Sequence, residues 1–223
     1  GVPADGWGTG TGTSACARAG AQVTAVDLSE QSLELARRRA TVYGYDDRIE
    51  FLAADAEHLV DVVPAAPYDL IYSFGVIHHT PNPEAVLDQL SEHYADERTT
   101  LKLMLYHRYC WKVIVILLRE GRGAFWRLDE LIAKNSEAQT GCPVTYSYSR
   151  RSAKAVLEAH GFHATDTQVN MIFPYRIRDY VEYRYVREWY FRWMPRRLFR
   201  AMERVLGWHL CLTATPTASS TQT

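Results

Sequence analysis

The sequence predicts an α/β protein in which helices cover both faces of an open, doubly wound and mostly parallel β-sheet. Short β-rich runs alternate with stretches of helical periodicity through the first half of the chain, a pattern typical of parallel strands joined by helices. The clearest strands are predicted at residues 22–26, 49–53, 68–73 and 100–106. Runs at 162–173 and 208–214 predict two more strands near the end of the chain.

Local signals set the limits of the predicted helices. Ser29 and Gly44 are expected to cap the two ends of the helix between the first two of these strands. Asn82 followed by Pro83 predicts the start of another helix, because asparagine caps helix N-termini and proline fits the first helical position. Residues 149–160 are predicted to form a further helix.

Composition and charge limit the class of protein. The chain has 223 residues, of which 47% are hydrophobic, enough to fill the core of a globular domain. Its formal net charge of -1 provides no overall attraction to nucleic acid or to an anionic membrane. Four widely spaced cysteines form neither a CxxC zinc pattern nor a dense disulfide framework, which favours a reducing cytoplasm.

No targeting or membrane-spanning segment is expected. The first residues, GVPADGWGTG, lack the basic and apolar regions of a signal peptide. The most apolar run, residues 113–118, is much shorter than the ~20 residues that span a bilayer.

The chain divides by pattern into three parts. Residues 1–106 carry the regular alternation of strands and helices, and residues 107–212 are expected to continue the same domain with helical insertions and edge strands. Residues 213–223 are rich in Ser and Thr and are predicted to be a disordered tail.

A glycine-rich turn and an acidic residue suggest a ligand site. Gly6, Gly8, Gly10 and Gly12 precede a short predicted helix, where glycine lets the backbone approach a ligand and helix amides face it. A flexible loop would show the same glycines. Asp27 directly follows the 22–26 strand, about 20 residues after the glycines. In nucleotide-binding βαβ units an acidic residue at this position accepts hydrogen bonds from the ribose hydroxyls. A role for Asp27 as a turn residue or helix cap is the alternative.

Asp55 is a second candidate of the same kind. It closely follows the apolar strand 49–53 and is therefore expected at the carboxyl edge of the sheet, where open α/β sheets bind ligands. Its spacing from Glu57 fits a helix cap equally well.

The order and spacing of four segments resemble the class I S-adenosylmethionine-dependent methyltransferases, in particular bacterial small-molecule enzymes of the ubiquinone and menaquinone biosynthesis group. The resemblance covers residues 6–106 well and the remainder loosely. It implies a Rossmann-like sheet of seven strands with an antiparallel last strand and S-adenosyl-L-methionine as the cofactor. The matching segments are GWGTGTG, VTAVDLSEQSLELARRRA, IEFLAADAEHL and YDLIYSFGVIHHTPNPEAVLDQL.

The resemblance also implies roles for individual residues. The glycines of the turn would lie against the methionine part of the cofactor, the residues ending the second strand would hold the ribose, and the later ones would face the adenine or line the pocket. These cofactor-binding residues are Gly6, Gly8, Gly10, Asp27, Leu28, Asp55, Ala56, Ser73 and Phe74.

The paired histidines His78 and His79 follow the 68–73 strand and are the candidate catalytic residues. A histidine there can take a proton from an acceptor hydroxyl near neutral pH. A structural role in packing and loop shape is the alternative, and His107 is a similar candidate after the next strand. No further metal ligands stand at a recognisable spacing, so no metal site is expected.

The start of the chain departs from the family pattern. Only five residues precede Gly6, and Pro3 among them cannot donate a hydrogen bond to a central strand ladder, so the first strand is expected to be incomplete. The family usually has an acid two positions before the first glycine, where this chain has Ala4, with Asp5 one position off.

Residues 175–208 form an arginine and aromatic segment with nine arginines, four acids and ten aromatic residues. Three interpretations remain open. The segment is a helical cover of the sheet, a cap over an acceptor pocket for an apolar or anionic molecule, or a surface helix in peripheral contact with an anionic membrane. No nucleic acid partner is expected, since no base-stacking module is evident.

The predicted function is methyl transfer to a small-molecule, preferably lipophilic, acceptor. The rival enzyme class is an NAD(P)-dependent oxidoreductase, since Gly10, Gly12 and Ala15 also satisfy a GxGxxA fingerprint. A non-catalytic relic that still binds the cofactor is the other alternative. The oligomeric state does not follow from the sequence.

Overall fold

The computed structural model describes residues 2–5, 11–121, 123–135, 144–176, 179–180 and 184–217. Seven strands are present among them: β1 (Val2–Asp5), β2 (Val23–Asp27), β3 (Ile49–Ala53), β4 (Leu70–Phe74), β5 (Thr100–Tyr106), β6 (Phe162–Asn170) and β7 (His209–Pro216). They form one sheet in the order β3-β2-β1-β4-β5-β7-β6.

The helices of the described residues join or flank these strands. Three of them precede β5 within the regular alternation, three lie between β5 and β6, and two lie between β6 and β7. They are α1 (Thr11–Arg18), α2 (Glu30–Tyr43), α3 (Pro83–His93), α4 (Trp111–Arg119), α5 (Leu128–Lys134), α6 (Arg150–Ala159), α7 (Trp189–Arg192) and α8 (Arg196–Leu206).

The strand directions give a Rossmann-like sheet, as predicted. Strands β1 to β5 are parallel to their neighbours, whereas β7 is antiparallel to both β5 and β6. Since β6 therefore runs in the same direction as β5, both strands end at the carboxyl edge of the sheet. The insertions after them, residues 107–149 and 171–208, start at this edge.

The predicted helix caps are confirmed. The backbone amide of Ser32 donates to Ser29 Oγ at 3.2 Å, and Gly44 adopts the left-handed conformation, with φ of 70°. Asn82 accepts a hydrogen bond from the Ala85 amide at 3.2 Å, with Pro83 at the first helical position. These short polar contacts satisfy helix-end groups that have no partner within the helix.

Helices cover both faces of the sheet. On one face, α3 and α6 bury Leu87, Leu90 and Leu157 against a core that includes Ile71 of β4. On the other face, α1 and α2 contribute a smaller cluster with β2 and β3. Burying each such leucine contributes about 1.5–3 kcal/mol to folding.

The end of the chain differs from the prediction. The predicted disordered tail at 213–223 is wrong for residues 213–216, because they continue β7. His163 pairs with Thr215 and Phe162 with Pro216, so β6 supplies ladder partners for these residues. Residues 218–223 of the predicted tail lie outside the described residues.

Strand β6, at one edge of the sheet, also ends at a different residue from the one predicted. Strand β6 ends at Asn170 rather than at residue 173, since Met171 has a positive φ of 55°, which breaks an extended strand. Strand β1 is the shortest of the sheet with four residues, and it lies between β2 and β4 although it contains Pro3.

Within the described part of the chain, no helix combines the length and apolarity needed to cross a membrane.

Candidate functional site

The carboxyl ends of β1, β2 and β4 meet where the strand order reverses. The chain moves from β1 towards β2 and β3 on one side, and from β4 towards β5 on the other. In the register, Asp5 at the end of β1 lies between Val26 of β2 and Ser73 of β4. Such a switch point leaves a crevice in which open α/β sheets bind ligands.

Asp27 ends β2 beside this crevice. Its Oδ1 accepts a hydrogen bond from the Ser29 amide at 2.8 Å, which supports the turn role considered for it. Within the described residues, Oδ2 has no partner, and the half-buried carboxylate keeps acceptor capacity for a ligand. The neighbouring Leu28 side chain is exposed.

Asp55 follows β3 at the same edge and caps a short helical turn. Its Oδ1 accepts the Glu57 amide hydrogen at 2.9 Å, so the alternative cap role is confirmed. Ala56 is buried directly after it. The Ala54 amide donates to the Asp27 carbonyl at 3.3 Å, which ties the loops that carry the two carboxylates to one another.

Ser73 and Phe74 form the end of β4. Ser73 is fully buried, and its Oγ has no hydrogen-bond partner within the described residues. Phe74 is half-buried and meets the His209 ring edge-on at a centroid distance of 5.3 Å. Gly75 then turns the chain with φ of 81°, a conformation that glycine adopts without strain.

The glycines Gly6, Gly8 and Gly10 lie outside the described residues, so their contact with the cofactor stays a prediction. Helix α1 begins directly after them at Thr11.

His78 is placed where it cannot contact an acceptor. Its side chain is fully buried, with its ring 4.1 Å from the Tyr106 ring and 4.3 Å from the His79 ring, between centroids. Burial lowers the pKa of His78 well below its usual value, with a smaller contribution from His79 and His209. Neither ring nitrogen of His78 has a hydrogen-bond partner among the described residues. The nearby Met104 backbone raises the pKa of His78 and so offsets part of the lowering.

The prediction of His78 as a catalytic base is therefore not supported, since a buried ring of lowered pKa has no route to a substrate proton. The packing role, its alternative, agrees with these contacts. His79 is half-buried, and its Nδ1 lies 3.2 Å from both the Val144 carbonyl and Thr145 Oγ1. Together with the hydrogen bond from the Tyr146 amide to the His78 carbonyl at 2.9 Å, it fastens the insertion after β5 to the loop after β4.

His107 has a comparable structural role. Its Nδ1 lies 3.1 Å from the Gly207 carbonyl, and its amide donates to the Trp208 carbonyl at 2.8 Å. Burial lowers the pKa of His107. The residue thus connects the end of β5 to the start of β7.

One buried residue near the end of β5, a lysine, was not predicted from any sequence pattern. Lys112 on α4 is buried, with Nζ 4.5 Å from the Trp208 ring centroid and 5.1 Å from that of Phe173. A desolvated cation over an aromatic ring contributes on the order of 2 kcal/mol. Trp208 in turn packs on Tyr106, with their ring centroids 4.1 Å apart.

A cavity of about 500 Å³ separates α4 from the segment after β6. Arg119 on its wall forms an ion pair with the buried Glu188, with Arg119 Nη1 2.9 Å from Glu188 Oε1. Arg176, also on the wall, has no acidic partner among the described residues. The volume falls in the range of small-molecule sites. The wall consists of Val115, Ile116, Arg119, Glu120, Arg176, Asp179, Glu188 and Trp189.

Among the described residues, no group of three or more His, Cys, Asp or Glu side chains is placed to hold a metal ion.

The part of the chain that carries Asp27, Asp55 and Ser73 matches a known protein family. The family described as "Methyltransferase domain" matches residues 5–97, from the end of β1 to the turn before β5. The ubiquinone biosynthesis O-methyltransferase of Idiomarina loihiensis is 39% identical over 82 residues, which is 37% of this chain. The match covers 32% of that relative, so the chain spans about a third of its length.

Solved structures share the fold. Magnesium protoporphyrin IX methyltransferase from Synechocystis, determined with bound S-adenosylmethionine, aligns with a TM-score of 0.55 at 16% identity, covering 97% of this chain and 69% of that one. The [4+2]-cyclase SpnF aligns with a TM-score of 0.60 at 15% identity, covering 97% of this chain and 74% of that one. At these identities the likeness is one of fold alone.

Proposed function

We propose that the chain transfers a methyl group from S-adenosylmethionine to a small-molecule acceptor, because residues 5–97 match the methyltransferase domain family. One observation carries the proposal. The acidic end of β2 lies at the switch point of the sheet, with a carboxylate oxygen left for a ligand. The cofactor belongs to this crevice by the general rule for open α/β sheets.

The residues of the crevice fit the parts of the cofactor. In this proposal Asp27 accepts the ribose hydroxyls, Asp55 and Ala56 border the adenine, and Ser73 with Phe74 lines the wall. The unpartnered Ser73 Oγ supports the assignment, since a buried hydroxyl usually has a hydrogen-bond partner. Contacts of Gly6, Gly8, Gly10 and Leu28 with the cofactor are part of the same proposal and rest on the resemblance of the sequence.

The bound cofactor supplies a methyl group on a positively charged sulfur. The chain's own residues then act by holding the two reactants in line and by excluding water, which requires no nucleophilic side chain. In this proposal His79 is the remaining candidate base. Its ring is half-buried, with Nδ1 3.2 Å from the Val144 carbonyl and with Nε2 buried, so this role requires the contact with the insertion after β5 to open.

We assign cofactor binding to residues 1–106 and the acceptor side to residues 107–212. Both insertions start at the carboxyl edge, and the cavity between α4 and the segment after β6 has a size suited to an acceptor. The aliphatic and tryptophan part of its wall favours a partly apolar molecule. The proposal includes a cytoplasmic location and does not specify an oligomeric state.

Two alternatives lead to different results. An NAD(P)-dependent oxidoreductase is disfavoured by the family match and by the antiparallel β7, which lies between β5 and β6. A non-catalytic relic would bind the cofactor without turnover, and the cyclase that shares this fold shows that the fold alone does not define the reaction.

Methyl transfer from radiolabelled S-adenosylmethionine tests the proposal. The purified chain is incubated with a panel of phenols, catechols, hydroquinones and amines, and label in the organic extract is counted. We expect transfer to at least one acceptor class and its loss in Asp27→Ala. Cofactor binding without transfer to any acceptor would instead establish the relic.

A further inference from the structure

Helix α8 packs against β6 and exposes part of its apolar surface. Phe199, Met202 and Leu206 are half-buried and form the face that lies against the protein. Leu198 and Val205 are 51% and 62% exposed, and since they stand seven residues apart they lie on the same side of the helix. The apolar sector of α8 is therefore wider than the surface that covers it.

Exposed arginines lie on the sides of α8 that the apolar strip leaves open. At about 100° per residue, Arg197 and Arg204 flank the strip on one side, whereas Arg196 and Arg200 lie on the opposite side of the helix. Arg192 at the end of α7 is also exposed. Within the described part of the chain none of these five side chains forms an ion pair, and Glu203 is the single acid on α8.

Two tryptophans are exposed directly before α8. Trp189 is 68% exposed and Trp193 is 83% exposed. Tryptophan rings of this kind are unfavourable in bulk water and are enriched where an apolar phase meets a polar one.

We propose that α8, together with Trp189 and Trp193, docks on the surface of an anionic lipid bilayer. A helix with an exposed apolar strip, arginines beside and opposite it, and tryptophans before it has the features of a helix that lies in the membrane interface. The lipid headgroups neutralise the arginines, and the acyl boundary receives Leu198 and Val205.

Other occupants fit these observations less well. A symmetric contact with a second copy places the same patch on both sides, which brings the two sets of arginines together without a counter-charge. Nucleic acid neutralises the arginines but offers no apolar phase for Leu198 and Val205. A lipid surface satisfies both features.

Helix α2 provides an internal comparison. It also exposes apolar residues, Leu35 at 48% and Val42 at 81%, beside arginines. Its Arg37 and Arg38, however, both pair with Glu34 at 3.3 and 2.7 Å, and Glu30 adds a further negative charge. The proposal therefore predicts that α8 binds anionic lipid and that α2 does not.

Co-sedimentation with vesicles tests the proposal on the full chain. The vesicles contain either phosphatidylcholine alone or phosphatidylcholine with about one third phosphatidylglycerol. We expect binding to the anionic vesicles only, a loss of roughly tenfold or more in Leu198→Glu/Val205→Glu and in Arg197→Glu/Arg200→Glu, and weakening by salt. The matched control Leu35→Glu/Val42→Glu keeps the binding of the unaltered chain.

Several outcomes would overturn the proposal. These are equal binding to neutral vesicles, an equal loss in the α2 control, a dimer that Leu198→Glu/Val205→Glu dissociates, or capture of duplex DNA in place of vesicles. All variants change exposed side chains, and thermal unfolding verifies that they fold. Titration with S-adenosylhomocysteine separates this proposal from the catalytic one, since the α8 variants are expected to bind it as the unaltered chain does.

Discussion

The two oxygens of the Asp27 carboxylate differ in their contacts. Its Oδ1 holds the turn after β2 through the Ser29 amide, while Oδ2 faces no partner within the described residues. The hydrogen bond from the Ser29 amide to Asp27 Oδ1 joins residues only two positions apart. This turn therefore contributes little to the free energy of unfolding beyond that one hydrogen bond. Loss of the carboxylate should therefore affect the ligand more than the fold.

Replacement of Asp27 by alanine tests this division. We expect the affinity for S-adenosylhomocysteine to fall by about 1–3 kcal/mol, since charge-assisted hydrogen bonds to the ribose are lost. Isothermal titration calorimetry measures the change. Asp46→Ala is the matched control, because Asp46 is an exposed acid just before β3 at the opposite edge of the sheet. An equal loss in both variants would remove Asp27 from the site.

Ser73 allows a second test at the same edge. Its buried Oγ has no partner within the described residues, so Ser73→Ala should leave the free energy of unfolding unchanged or slightly higher. If the hydroxyl contacts the cofactor, the affinity falls by about 0.5–1.5 kcal/mol. Urea denaturation and calorimetry on the same variant measure the two quantities. A loss of stability with unchanged affinity would argue against Ser73 as a lining residue.

The histidines give the molecule a pH-dependent stability. Burial lowers the pKa of His209 from 6.5 to about 4, and it lowers the pKa of His78 and His107 as well. A lowered folded-state pKa means that the unfolded chain binds protons first as the pH falls. The stabilisation is therefore complete above about pH 6.5 and is lost towards pH 4.

Urea denaturation between pH 7 and pH 4 measures this effect. For His209 the shift corresponds to about 3 kcal/mol lost by pH 4. We expect His209→Gln to reduce the slope of the unfolding free energy against pH in this range. His163→Gln, at an exposed position on β6, is the control and should keep the slope. A steeper slope in His209→Gln would contradict the assignment of a neutral, buried ring.

At the scale of single residues, the positions of the site residues were predictable from the sequence, but the burial of their neighbours was not. Asp27, Asp55 and Ser73 stand at or just after the ends of predicted strands, so their place at the carboxyl edge of the sheet followed from the alternation of strands and helices. The burial of His78 and Lys112 was not, because it depends on Tyr106, Trp208 and Phe173, which come from elements distant in the chain.

Among the elements, α6 is the one whose start is fixed most completely by side chains. Ser149 Oγ accepts the Ser152 amide hydrogen at 3.0 Å, and Ser152 Oγ accepts the Ser149 amide hydrogen at 2.9 Å. This reciprocal capping box satisfies two amides that have no partner within the helix. The helix then packs Ala153 and Leu157 into the main core.

Removal of the cap should destabilise the whole domain. We expect Ser149→Ala to lower the free energy of unfolding by about 1 kcal/mol, with Ser149→Asp recovering most of it, since aspartate is also a good cap. Urea denaturation followed by circular dichroism measures both variants. An unchanged midpoint in Ser149→Ala would show that the cap adds nothing to what the core contacts of α6 already supply.

Helices and strands were predicted correctly where local sequence signals mark their ends. The prediction failed where pairing with a neighbouring strand determines the structure. Cap residues marked the ends of α2, and Asn82 with Pro83 marked the start of α3. The continuation of β7 through Pro216 has no such signal, because its polar Ser/Thr composition resembles a tail and only the ladder with β6 makes it a strand. The order of the strands likewise depends on contacts across the sheet.

At the scale of the whole molecule, two insertions meet on the carboxyl edge of one sheet. The segment after β5 and the segment after β6 are separated by α6 and β6 in the chain, yet Lys112 of the first contacts Phe173 and Trp208, at either end of the second. The arrangement brings the crevice at the switch point and the starts of both insertions to the carboxyl edge of the sheet. No local pattern in the sequence predicts this meeting, since it follows from the parallel direction of β5 and β6.

The measurement that tests the account most directly is calorimetric titration of the purified chain with S-adenosylhomocysteine, beside NADH in the same buffer. We predict micromolar binding of S-adenosylhomocysteine, about -8 kcal/mol, and no heat from NADH. Binding of NADH alone would establish the oxidoreductase instead. Binding of neither would contradict the central claim that the crevice at the ends of β1, β2 and β4 holds this cofactor.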